Sequence, residues 1–153
     1  MPLYQIIYAS RSNEIAKSDI VSILEKARHS NAQKNITGTL VFSGTYFLQV
    51  LEGERSTISK TLFKIAQDPR HFEVDVIHAG PIQQRVFSAW AMAYVPTTGI
   101  DSSLYLPYMT GKTFDPFQLQ AEAAIAMCKG FSEGQPCTKA TDGAVRRIRT
   151  SLS

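Results

Sequence analysis

Residues 31–53 read NAQKNITGTLVFSGTYFLQVLEG, and the reading of this stretch decides the fold. Two runs rich in β-branched and aromatic residues, Ile36 to Ser43 and Tyr46 to Glu52, flank the turn sequence Ser43-Gly44-Thr45, which predicts a β-hairpin. Strand side chains repeat every two residues, so Phe47, Gln49 and Leu51 share one face of the second strand. Burying that face buries an amide between two large apolar neighbours. Each of its hydrogen-bonding groups left without a partner costs about 1–3 kcal/mol. Two readings of Gln49 stand open: it bonds backbone or water at a sheet end, or it faces a polar ligand beside the sheet.

On the N-terminal side, Leu3 to Ser10 reads as a strand, with Tyr4, Ile6, Tyr8 and Ser10 on one face. Arg11 to Lys17 reads as a polar loop, and Ser18 as the N-cap of a helix over Asp19 to His29. Ile20, Ile23, Leu24 and Ala27 form its apolar stripe. Beyond the hairpin, a second helix is expected from near Ser56, with Ile58, Leu62 and Ile65 inward and Asp68-Pro69 ending it. Phe72 to Ala79 alternates as a strand, with Phe72, Val74, Val76 and His78 on one side, and Gly80-Pro81 breaks it. Phe87 to Tyr94 is the last strand, with Trp90, Met92 and Tyr94 on one face and Ala89, Ala91 and Ala93 on the other. The order strand, helix, two hairpin strands, helix, two strands makes a ferredoxin-like α+β sandwich with both helices on one sheet face.

The rest of the chain reads as an extension. Pro96 to Gly99 is a linker, and Ser102 to Met109 a short helix broken at Pro107. Asp115-Pro116 starts a helix whose stripe is Phe117, Ala121, Ala124, Ile125 and Cys128, with Gly130 as its cap. The expected organisation is a domain over residues 1–95, a helical extension over 96–130 and an unstructured, basic tail over 131–153. The extension's stripe needs a cover, and the sheet face bearing Leu3, Ile7 and Ala91, opposite the two helices, is expected to provide it.

Composition narrows the function. The chain has 153 residues, 44% hydrophobic and 19% charged, which suits a globular protein with a sizeable core. A net charge of +3, much of it in the tail, does not call for nucleic acid. Cys128 and Cys137 lack metal-ligand or redox spacing, so a reduced, cytoplasmic setting is expected, and no apolar run or signal-peptide pattern points to a membrane. There is no Gly-rich phosphate loop, nucleophile elbow or metal-binding histidine pair. The compact polar cluster is Asp68-Pro-Arg-His71, which on its own reads as a solvated helix terminus.

Several elements together resemble the BLUF family of blue-light sensors that bind flavin adenine dinucleotide. They are Tyr8 followed by Ser10, Ala27-Arg-x-x-Asn31, Ile36-Thr-Gly38, Phe47-Leu-Gln-Val-Leu-Glu-Gly53, Asp68-x-Arg-His71 and Arg85-x-Phe87-x-x-Trp90-x-Met92. They lie in order and with compatible spacing over about residues 3 to 95. The resemblance implies non-covalent FAD, for which FMN or riboflavin can substitute. It places Gln49 against the flavin edge and the Tyr8 hydroxyl, Asn31 on the ring carbonyls, and Ile23 and Ile65 on the two ring faces. Ser30, Lys64, Asp68, Arg70 and His71 match positions around the same cofactor. Ser30 and Ala27 depart from the polar residues common there, which bears on spectral tuning and dark recovery.

The same resemblance implies a switch rather than an enzyme. Tyr8 would give an electron, with proton movement through Gln49, and back-transfer would leave Gln49 rotated or tautomerised and the absorption red-shifted. Trp90 and Met92 would relay the change toward the C-terminal helices, although on their own they read equally well as sheet-face core. No effector domain is expected in the chain, so the partner would be a separate effector protein or further copies in a homo-oligomer, not a membrane or nucleic acid. The competing readings are a ferredoxin-like RNA-binding module, whose Lys/Arg-Gly-Phe signature is missing, and a small-molecule-binding protein without photochemistry.

Overall fold

The computed structural model describes residues 2–88, 90–98, 100–134 and 148–149. Strand β1 (Leu3–Ser12) is followed by helix α1 (Lys17–Gln33), the hairpin β2 (Thr37–Phe42) and β3 (Tyr46–Glu54), helix α2 (Arg55–Ala66), and strands β4 (His71–Pro81) and β5 (Trp90–Pro96). The sheet order is β4-β1-β3-β2-β5, antiparallel except where β2 meets β5. This is the expected α+β ferredoxin-like sandwich. The hairpin turns on Gly44 at φ 89°, a conformation that costs a Cβ-bearing residue dearly.

Two cores flank the sheet. On one face Ile6, Leu40, Phe47, Leu51, Met92 and Tyr94 pack with Ile20 and Leu24 of α1 and Ile58 of α2. On the other, Ile7, Val41, Leu48, Val50 and Val95 pack against Phe114, Leu119, Ala124, Met127, Cys128 and Phe131. The C-terminal helix α3 (Ala121–Gly134) therefore covers the face opposite the two earlier helices, where it was expected to dock. The alternation along β3 makes this possible: Gln49 points to one core, while its neighbours Leu48 and Val50 point to the other.

Several boundaries differ from those read in the sequence. Helix α1 begins after Ala16 rather than Ser18, because the Asp19 carboxylate accepts the Ala16 N–H at 2.9 Å. It also runs past His29 to Gln33, which puts Ser30 and Asn31 on helix as well. Strand β4 continues through Gly80-Pro81 and does not alternate cleanly. Register shifts against β1 fall between Ile7/Tyr8 and between Ala9/Arg11, and Glu73 sits at φ 52°. Phe72 and Val76 are exposed as a result, and Ile77 packs into the second core.

Strand β5 starts at Trp90, not Phe87. The N–H groups of Val86 and Phe87 are taken by the buried Glu52 carboxylate at 2.8–3.0 Å instead of by a ladder. The extension opens with 3-10 turns at Ser102–Leu104, Leu106–Tyr108 and Pro116–Gln118. Asp115 caps the last of these through the Phe117 N–H, but Leu119 is extended, so the long helix begins only at Ala121. Gly130 lies inside that helix rather than at its end, and Phe131 beyond it is core. In the segment expected to be unstructured, residues 131–134 belong to α3, and β6 (Ile148–Arg149) pairs with β5 at Trp90 and Met92. The remainder of that segment lies outside the described residues, as does the side chain of Trp90.

Candidate functional site

A cavity of about 310 Å³ opens between α1 and α2, with β1 and β3 as its floor. From α1 and its C-cap Lys34 it takes Ile23, Lys26, Ala27, Ser30, Asn31 and Lys34, spaced as one helical face. From α2 and the turn after it come Thr61, Lys64, Ile65, Asp68, Arg70 and His71, and the floor is Tyr8, Leu40, Phe47, Gln49 and Leu51. The ten residues expected around a cofactor, Tyr8, Ile23, Ser30, Asn31, Gln49, Lys64, Ile65, Asp68, Arg70 and His71, all line this one cavity. Their sequence separation is spanned by two helices that lie on the same sheet face.

The floor carries a polar chain. The buried Tyr8 hydroxyl donates to Gln49 Oε1 at 2.5 Å, and Gln49 Nε2 donates to the Met92 sulfur at 3.5 Å. Gln49 is thus satisfied by a phenol and a thioether, not by backbone at a sheet end, while its side chain still borders the cavity. Burial, with Asp68 adding to it, pushes the Tyr8 phenol far above its ordinary value, so it holds its proton at any ordinary pH. Asn31 donates through Nδ2 to the Ala91 carbonyl at 3.0 Å; its Oδ1 has no partner among the described residues.

The rim is set by the Asp68-Pro-Arg-His71 turn. Arg70 grips Asp68 with Nε to Oδ1 at 2.9 Å and Nη2 to Oδ2 at 2.5 Å, which holds the Asp68 carboxyl below the usual carboxylate range. His71 Nε2 lies 2.6 Å from the Ile65 carbonyl, which can only accept, so that nitrogen carries a proton; Nδ1 lies 2.7 Å from Ser10 Oγ. The histidine thereby ties the end of α2 to β1. Lys26, Lys34 and Lys64 are exposed at the mouth and form no ion pair among the described residues.

Not every residue of the sequence pattern belongs here. Arg85 lies away from the cavity and donates to Thr37 Oγ1, the Glu52 carbonyl and the Asn35 carbonyl at 2.8–3.0 Å, a structural role. Met92 stands behind Gln49 and does not line the cavity. Lys26, Lys34, Leu40 and Thr61 were missed. Steps of three or four residues along α1 from Ile23, and along α2 from Ile65, would have found all but Leu40.

Comparison with known proteins agrees with this geometry. The family model described as BLUF, sensors of blue-light using FAD, matches residues 3–93. The photoactivated adenylate cyclase subunit beta of Euglena gracilis is 36% identical over 92 residues, 59% of this chain but 11% of that protein. The chain thus spans only about a tenth of that curated relative. Among solved structures, the dark state of the BLUF protein BlrB superposes with a TM-score of 0.75 at 27% identity, covering 88% of this chain and 98% of that one. The ground state of BlsA gives 0.76 at 29% identity, covering 84% and 87%.

Proposed function

We propose a function from one premise: the chain belongs to the BLUF family, sensors of blue light using FAD, and is a flavin blue-light photoreceptor. The reading is that FAD occupies the cavity between α1 and α2, that light resets the Tyr8–Gln49–Met92 chain, and that the change leaves through the sheet to α3. The observation that carries it is that chain of hydrogen bonds lying on the floor of a cavity with apolar walls and a basic mouth.

The residues present fit a flavin. Ile23 and Ile65 come from opposite helices and suit the two faces of a flat ring system. Asn31 has a carbonyl oxygen with no partner among the described residues, and Ser30, Asp68, Arg70 and His71 supply further polar groups. Lys26, Lys34 and Lys64, without an ion pair among the described residues, suit a phosphate, which favours FAD or FMN over riboflavin, and the family description names FAD. When bound, a flavin supplies blue-light absorption and an excited state that accepts an electron.

Tyr8 would then be the donor, its proton moving along the short bond to Gln49 Oε1, and the return of electron and proton would restore the phenol and leave only Gln49 rearranged. Gln49 is the reporter, because its two ends differ: the oxygen is engaged by a strong donor and the nitrogen by a weak acceptor, sulfur. Turning or tautomerising the amide gives up the contact with the Met92 sulfur and changes what the amide offers the cavity. Exchanging one or two such bonds involves about 1–3 kcal/mol, similar to ordinary allosteric coupling. No covalent bond between residues changes, so the lit state decays in the dark.

The output is signalling rather than catalysis, in a cytoplasmic setting, through a separate effector protein or further copies of the chain; among the described residues no helix is long and apolar enough to cross a membrane. An RNA-binding role is disfavoured because α3 covers the sheet face such a module would use. Absorption spectroscopy of the purified protein, with chromatography of the released chromophore, tests the reading. A yellow protein with a reversible red shift under blue light is expected, whereas a colourless protein that takes up no added flavin overturns it.

A further inference from the structure

Arg28 is a charged residue only 4% exposed, in the inner face of α1 beside Leu24 and Asn31. Its Nε donates to the Met92 carbonyl at 3.0 Å, its Nη2 is buried with no hydrogen-bond partner, and no carboxylate pairs with it among the described residues. Burial lowers its pKa to about 10, so the guanidinium is held there at a cost. In some proteins a buried ionic group is kept for the arrangement it fixes rather than for the stability it adds.

What depends on it is β5. The ladder to β2 begins at Thr39↔Ala93, so the start of β5 has no β2 partner. Three successive β5 carbonyls accept hydrogen bonds from side chains: Ala91 from Asn31, Met92, which also pairs with Ile148 of β6, from Arg28, and Ala93, which is already in the β2 ladder, from Thr39 Oγ1 at 3.4 Å. The middle bond holds the backbone of the residue whose sulfur accepts the Gln49 amide.

We propose that Arg28 is a positioning residue of the switch: by fixing the Met92 carbonyl it fixes the Met92 sulfur and hence the resting orientation of the Gln49 amide. Arg28 does not line the cavity, so it acts through Met92 and not on the cofactor. The inference rests on the photoreceptor reading above.

The test is a double-mutant cycle on the flavin-loaded full chain, reading the light-induced red shift and the rate of dark recovery. Arg28→Met keeps the bulk and removes the charge and the donor; Arg28→Lys restores a donor. Arg28→Met is expected to retain flavin and to change the recovery rate by about 3-fold or more, with Arg28→Lys nearer to wild type. In a Met92→Leu background, which has no sulfur, the same Arg28→Met change should alter recovery by less than about 1.5-fold, since a route through the sulfur is non-additive. Equal effects in both backgrounds, or unchanged recovery in Arg28→Met, overturn the role. If Arg28→Met does not fold, Arg28→Gln, which drops the charge and is too short to hold the Met92 carbonyl as arginine does, carries the cycle with the same criterion. Failure of the photoreceptor reading is separate, because it would appear as a wild-type protein without flavin or red shift.

Discussion

At the scale of single residues, Tyr8 and Gln49 divide the work by chemistry. Among the described residues, the phenol is the donor on Gln49 Oε1, and as a phenol it can give both an electron and a proton along that path. Tyr8→Phe is therefore expected to keep flavin and lose the normal red shift, and Gln49→Leu to do the same because leucine has neither donor nor acceptor to exchange. Difference spectra under blue light check both, and a wild-type photocycle in either variant removes the assigned role. Tyr8, Gln49, Asn31, Ile23 and Ile65 were all legible in the sequence as positions. Arg28 was legible only as part of a pattern, because a charged residue on a helix reads as solvent-facing until the strand that buries it is in place.

At the scale of elements, the hairpin and the extension carry separate predictions. Gly38 in β2 lies against β3 so closely that a Cβ would stand 1.8 Å from the Val50 carbonyl oxygen, a backbone atom that cannot step aside. Gly38→Ala should separate the strands beneath the cavity; loss of flavin retention together with a lower melting temperature is the expected result. In α3, Phe131 is fully buried against the sheet face opposite the cavity. If α3 folds as part of the same unit, Phe131→Ala costs about 3–5 kcal/mol in denaturant unfolding. A loss below about 1 kcal/mol would mean that the helix is only loosely held. The apolar stripe predicted the existence of this helix but placed it too early, because Asp115-Pro116 is an equally good start for a 3-10 turn and Leu119 then leaves helical geometry.

At the scale of the whole molecule, several buried titratable groups set an alkaline limit. Burial raises Cys128 from 9.0 to about 12 and Tyr94 from 10.0 to about 12, and raises Tyr8 as well. In the unfolded chain these groups ionise near their ordinary values, so above about pH 9 the unfolded state binds fewer protons and stability falls as pH rises. Arg28 and Arg85 work the other way, since burial lowers both, Arg28 to about 10, but they are two groups against three. Melting temperatures should hold steady near neutrality and fall from about pH 9 upward, with Cys128→Ala delaying the onset. A flat profile to pH 11 would contradict that burial.

The sequence by itself determined the order of elements, the two-faced strand that holds Gln49, the family, and which residues would gather in one cavity. Periodicity and turn chemistry are local, and a collinear pattern survives any error of a few residues at an element's ends. Only the tertiary structure decided what each polar group bonds to. The sulfur behind Gln49, the carboxylate that stops β5 at Trp90, the bulges that expose Phe72 and Val76, and the buried cation on Met92 all join residues far apart in the chain. Such partners are chosen by which surfaces meet when the sheet closes between its two cores, and no spacing along the chain encodes that distance.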